Sequence, residues 1–166
     1  ALDFARDMLM FSFYTRGMSF VDMAYLCKKD VASGYIIYHR KKTGQKLSIA
    51  LVPEMQAIIC KYQNSTQYLL PIITKEDGTE RQQYRNQLIR INRHLKKIGT
   101  MTGISIPLST YVMRHSWATI ARDKGISLSV ISEGLGHNSE TTTKVYLDSI
   151  QKTKVDKANR LILNDI

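Results

Sequence analysis

Two runs of β-favouring residues, Tyr35-Ile-Ile-Tyr-His-Arg40 and Lys46-Leu-Ser-Ile-Ala-Leu51, stand close together in a chain whose other apolar residues recur at helical spacing. Between them lies Lys41-Lys42-Thr43-Gly44-Gln45, where Gly44 can adopt a turn conformation. The pair therefore predicts one antiparallel hairpin with lysines at its tip. The expected class is mainly α with a small antiparallel β-sheet, an α+β domain.

The helical segments follow from the period and its punctuation. Leu2, Ala5, Met8, Leu9 and Phe13 form one stripe over residues 2–13, ended by Thr15-Arg16-Gly17. A second helix begins near Ser19, where Ser19-x-x-Asp22 resembles a capping box with Asp in place of Glu. Pro53 suits the first turn of a helix reaching about Tyr62, and residues 70–80, with Pro71 and Gly78, read as a loop. From Gln82 to about Ile98, Tyr84, Leu88, Ile91, Leu95 and Ile98 mark a buried stripe, while Arg85, Arg93, Lys96 and Lys97 crowd other faces. Three short helices are expected over 110–124, 128–135 and 140–147, with Gly125 and Gly136 as stops, then a last one over about 150–163.

A length of 166 residues with 43% hydrophobic content suits one domain with a real core. The chain opens in mid-pattern at Ala1 and carries no apolar run long enough for a signal peptide or membrane span, so it reads as a fragment of a longer protein. Lys and Arg number 24 against 14 Asp and Glu, a net charge of +10, which favours a polyanionic partner, nucleic acid before an acidic membrane surface. Cys27 and Cys60 show no paired spacing, which points to a reducing cytosol. The 4 histidines are scattered, so no metal site is expected.

Two stretches near the C-terminus carry chemistry: Tyr111-Val-Met-Arg114-His115-Ser-Trp-Ala-Thr119 and Leu135-Gly-His137-Asn-Ser-Glu-Thr-Thr-Thr-Lys-Val-Tyr146. Together they resemble the signature boxes of the tyrosine recombinases, or phage integrases. That family typically shows His-x-x-Arg-His before Ala-Thr, then Leu-Gly-His with a Tyr nine positions on, the spacing from His137 to Tyr146. The lysine-tipped hairpin falls in the family's order, and Phe13-Tyr-Thr-Arg-Gly-Met-Ser-Phe20 is most similar to integrases of conjugative transposons and related mobile elements.

The resemblance implies a C-terminal catalytic domain over residues 1–166, without the N-terminal DNA-binding domains, acting on double-stranded DNA. Such a domain is bacterial and cytoplasmic, at the nucleoid. It needs no cofactor and no metal, because breaking and remaking a phosphodiester through a tyrosyl ester conserves bond energy. Tyr146 would be the nucleophile, forming a 3′-phosphotyrosyl link; a phenol is only roughly 0.1% ionised at neutral pH, so it needs neighbouring cations and a proton acceptor. Arg114 would present a planar donor fork to the non-bridging oxygens, and His137 would hydrogen-bond the same phosphate or help manage the tyrosine proton. Lys42 is the choice for the acid that protonates the leaving 5′-oxygen, with Lys41 as competitor. His115 is expected to make a structural hydrogen bond and Trp117 to pack in the core. The segment 150–166 would be exchanged between subunits of a tetrameric synaptic complex.

Two positions depart from the family pattern. Ser19 stands where the first catalytic Arg is usual; Arg16, three residues upstream, is the preferred substitute, with an arginine from elsewhere or from a partner subunit as the alternative. Tyr111 stands where His is usual, and its hydroxyl suits phosphate binding better than proton shuttling at neutral pH. These departures keep two rivals open: a relative that binds DNA without cleaving it, and an enzyme of the type IB topoisomerase kind.

Overall fold

A computed structural model describes residues 1–164, with the side chains of residues 150–154, 156–158 and 164 outside the description. The elements are α1 (Leu2–Tyr14), α2 (Phe20–Tyr25), a 3-10 turn (Lys28–Asp30), β1 (Val31–Ala32), β2 (Tyr35–His39), β3 (Lys46–Ala50), α3 (Pro53–Lys61), α4 (Glu80–Met101), α5 (Val112–Asp123), α6 (Leu128–Leu135) and α7 (Glu140–Asn164). The domain is mainly helical with one small antiparallel sheet, as the residue pattern predicts. No helix among the described residues is long and apolar enough to cross a membrane.

Helix α1 is the spine. Its face bearing Ala5, Met8 and Phe11 is buried, and it packs against α3, α4 and α5. Burying the larger Met8 and Phe11 side chains contributes about 1.5–3 kcal/mol each before the entropy of ordering them. The buried Asp7 ties α1 to α3: it accepts from Arg6, from Lys61 Nζ at 2.6 Å and from the Tyr62 hydroxyl at 2.8 Å. Those donors hold its carboxyl below the ordinary value although burial alone pushes it up.

The sheet has the order β1-β2-β3. Ile36 faces Ile49 and Tyr38 faces Leu47, so all four apolar residues enter the core while their neighbours along the strands face out. The short β1 is absent from the sequence expectation. It joins β2 through Ser33 and Gly34, both at positive φ (51° and 78°), the backbone of a tight two-residue hairpin turn.

A second, smaller core lies beside the first, where Ala118 and Ala121 of α5 meet Ile131 and Leu135 of α6 and Leu147 of α7. Trp117 packs against it, consistent with its expected core role. Helix α4 runs over Glu80–Met101, beyond the expected 82–98 at both ends. The two helices expected over 140–147 and 150–163 form one. Asp148 and Ser149 do not break it, since neither Gly nor Pro interrupts residues 140–164. The expected exchange of segment 150–166 falls partly on residues outside the description. Among its described side chains, Val155, Leu161, Ile162 and Leu163 are exposed.

Candidate active site

Arg114 sits on the buried face of α5, in the first turn, where the two cores meet. Its Nη1 donates to the Gly17 carbonyl at 3.0 Å and its Nη2 to the Leu135 carbonyl at 2.5 Å, so one guanidinium links the α1–α2 corner to the end of α6. Its Nε is buried and has no hydrogen-bond partner among the described residues. Gly17 makes this approach feasible: at φ +74° it holds its backbone so close that an added Cβ would lie 2.6 Å from Arg114 Cα. Gly17→Ala is therefore expected to destabilise the fold by at least about 2 kcal/mol through combined backbone strain and clash. Urea denaturation measures it, and a loss within experimental error would show that the corner can shift at little cost.

His137 follows α6 directly. The helix stops at Gly136, which is left-handed at φ +64°, as its glycine predicted. His137 Nε2 lies 3.2 Å from Arg114 Nη2, and His137 Nδ1 lies 2.8 Å from Thr143 Oγ1 on α7. Burial first, then the charges of Arg114, Arg40 and Lys42, pull the imidazole down to about 4. A neutral His137 in the fold has a consequence for stability. The unfolded chain takes up this proton near 6.5 and the folded chain near 4, so His137's contribution is complete above about 6.5 and is lost as pH falls towards 4. Burial also depresses His115, with the same sign. Urea midpoints are expected to fall across that window and to fall less steeply in His137→Gln; parallel pH profiles would contradict this.

Tyr146 lies in the second turn of α7, and among the described residues its buried hydroxyl has no hydrogen bond of ordinary geometry. Its ring stacks on His115, with centroids 5.0 Å apart and planes 11° from parallel, and meets His137 edge-on at 5.8 Å. Burial raises the phenol well above its usual value and the nearby Tyr111 adds to this, while Arg114 and Arg40 pull it back. Tyr111, at the start of α5 and exposed, packs edge-on against His115 at 4.7 Å. His115 differs from expectation. Its Nδ1 is buried with no hydrogen-bond partner among the described residues, and its ring forms the plate between the two tyrosines.

The hairpin docks on the end of α6. Arg40, buried at its base, donates from Nη1 to the Gly136 carbonyl at 2.8 Å, and Thr43 Oγ1 reaches the same oxygen at 3.3 Å. The two candidate lysines are placed differently. Lys41 Nζ sits 4.8 Å above the Tyr25 ring and its backbone N–H donates to Asp22, whereas exposed Lys42 contributes its charge at His137. Ser19 is the N-cap of α2, accepting from the Asp22 N–H and donating to its carboxylate at 2.6 Å. Arg16, half-buried at φ +61°, exerts its charge on Tyr38.

Arg40 is the residue that reading the sequence missed. Its charge acts on Arg114, His137 and Tyr146 alike. The signal was available: alternation along β2 continues Ile36 and Tyr38 to Arg40 on the inward face, and a cation on a strand's buried face requires a partner. Among the described residues neither Arg114 nor Arg40 forms an ion pair with a carboxylate. Two buried guanidinium groups with no carboxylate partner among the described residues can accept an anion.

The chain belongs to the Phage integrase family, whose sequence model matches residues 5–153. A tyrosine recombinase of Pseudothermotoga lettingae is 34% identical over 70 residues, 42% of this chain and 24% of that protein. Tyrosine recombinase XerA of Pyrococcus furiosus is 38% identical over 72 residues, again 42% of this chain and 24% of the relative. Such matches span about a quarter of the length of those relatives. Among solved structures, the XerH site-specific recombinase bound to palindromic difH substrate superposes with TM-score 0.62 at 20% identity, covering 93% of this chain and 45% of that one. A lambda integrase dimer bound to a COC′ core site gives TM-score 0.57 at 20% identity, covering 86% and 51%. These likenesses show the tyrosine recombinase catalytic-domain fold.

Proposed function

We propose that the chain is the catalytic domain of a site-specific tyrosine recombinase that cleaves and rejoins double-stranded DNA through a 3′-phosphotyrosyl intermediate. The observation that carries this reading is the uncompensated cluster of Arg114 and Arg40 beside the buried Tyr146 hydroxyl. A phosphodiester entering there accepts from the guanidinium groups and from His137, which draws electron density from phosphorus. Tyr146 Oη then bonds to phosphorus as the bond to the 5′-oxygen breaks. The phenolic proton leaves to solvent past exposed Tyr111, whose hydroxyl binds the phosphate, and Lys42 supplies a proton to the departing 5′-oxygen.

Arg40 fills the place of the second guanidinium, which Ser19 vacates. The sequence alone favoured Arg16, but Arg40 is the one whose field reaches all three central groups. Exposed Arg81, Arg85, Arg90, Arg93, Lys96 and Lys97 on α4 extend a basic surface for backbone phosphates. In the full protein the domain works in a tetrameric synaptic complex, with segment 150–166 packed on a neighbouring subunit. It serves integration or excision of a mobile element, and the wording of Phe13–Phe20 favours a conjugative-transposon integrase.

A second reading has support from Ser19, whose side chain is engaged in capping α2, and from Tyr111: a relative that binds DNA without cleaving it. A nicked suicide duplex separates the two. The recombinase reading expects a covalent protein–DNA adduct; binding without adduct supports the rival. Relaxation of supercoiled plasmid without joining of partner sites would move the assignment to the topoisomerase kind.

A further inference from the structure

We infer that Thr143 is a positioning residue whose hydroxyl switches the tautomer of His137 when a phosphate enters the site. The inference rests on the recombinase reading for the identity of that phosphate. Thr143 is fully buried on α7, and its Oγ1 lies 2.8 Å from His137 Nδ1. On the ring's other side, Arg114 Nη2 lies 3.2 Å from Nε2.

A guanidinium has only donors, so Nε2 facing Arg114 must be the acceptor, and the ring proton sits on Nδ1 and donates to Thr143. In that state His137 has nothing to offer a phosphate oxygen. Protonating Nε2 as well is opposed by the cations around it, Arg114, Arg40 and Lys42, and by burial. Among the described residues no carboxylate faces the imidazole, and the Tyr146 ring packs edge-on against it.

A hydroxyl can both accept and donate, which a carboxylate or a carbonyl cannot. When a phosphate oxygen draws away the Arg114 donor, rotation of the Thr143 hydroxyl lets it donate to a bare Nδ1. Nε2–H then donates to the phosphate. The exchange is charge-neutral, since solvent removes one ring proton and returns one at the other nitrogen. Thr143 thus lets a neutral histidine act as a donor at pH 7, at a site where an imidazolium is unfavourable.

The test is nitrogen NMR of the protein labelled with ¹⁵N in both histidine and arginine, first free and then titrated with inorganic phosphate. The free protein is expected to carry the His137 proton on Nδ1, and phosphate to move it to Nε2, with occupancy followed by the Arg114 side-chain resonances. A proton on Nε2 in the free protein, or one that stays on Nδ1 once Arg114 reports bound phosphate, overturns the switch. Failure of phosphate to perturb Arg114 at all would instead count against the anion site and so against both proposals. With a nicked duplex, Thr143→Val is expected to slow cleavage by about tenfold or more at unchanged DNA affinity, and Thr143→Ser to restore it. Equal rates in Val and Ser variants would contradict the role of the hydroxyl. Should the Val variant fail to fold, the tautomer measurements on the unaltered protein and on Thr143→Ser decide the matter.

Discussion

Tyr146→Phe is expected to abolish the covalent adduct on a nicked suicide duplex while leaving the fold and DNA affinity intact. The substitution keeps the ring that stacks on His115 and meets His137, and removes only the oxygen that faces Tyr111. Only the Tyr111 side chain engages this hydroxyl among the described residues, so the variant should stay within about 1 kcal/mol of the unaltered protein as it loses all chemistry. Denaturation and gel-shift measurements on the same preparation check both halves. An adduct that persists in the Phe variant would place the nucleophile elsewhere, and a large loss of stability would mean that the hydroxyl has a structural partner.

Arg40→Ala is expected to lower the rate of strand cleavage by about 10²–10³-fold, the usual effect of removing a preorganised donor from a site of developing negative charge. Arg16→Ala should stay within a few-fold of the unaltered enzyme, on the order of a surface substitution. Because Arg40 also holds the hairpin to the Gly136 carbonyl, part of the Ala effect is structural. Arg40→Lys separates the parts: it retains a charge at the hairpin base without the planar fork, and should remain at least about tenfold impaired although folded. Single-turnover cleavage with melting curves for all three variants is the measurement. The reverse order, with Arg16→Ala the damaging change, would restore the choice made from sequence spacing.

Much of the fold was legible because local signals agreed with the tertiary structure. The hairpin alternation, the Pro53 helix start, the Ser19 cap and the Gly136 stop each appear where the residues imply. Where the reading fell short, the cause is physical. The strand β1 is only two residues long, too short to show a period, and its Ser33-Gly34 turn was the sole cue. The helices expected over 140–147 and 150–163 run together because Asp148 and Ser149 are tolerated on a helix surface. At the site, the resemblance to the tyrosine recombinase boxes singled out Arg114, His137 and Tyr146, and the fold draws them together. Spacing could not reveal that His115 stacks on Tyr146 rather than making a hydrogen bond, because i and i+1 on a helix diverge by roughly 100° and only α7 brings the tyrosine to that face. Nor could it show that the two hairpin lysines have different surroundings, with Lys41 placed over the Tyr25 ring.

The central claim is that one phosphorus atom meets Tyr146, Arg114, Arg40 and His137 together. A crystal structure of the domain trapped on a nicked duplex tests it most directly. The claim predicts phosphorus bonded to Tyr146 Oη, with its non-bridging oxygens within hydrogen-bond distance of both guanidinium groups and of His137 Nε2. A scissile phosphate lodged elsewhere, with Arg114 still closed on the Gly17 and Leu135 carbonyls and Tyr146 still buried, would contradict it.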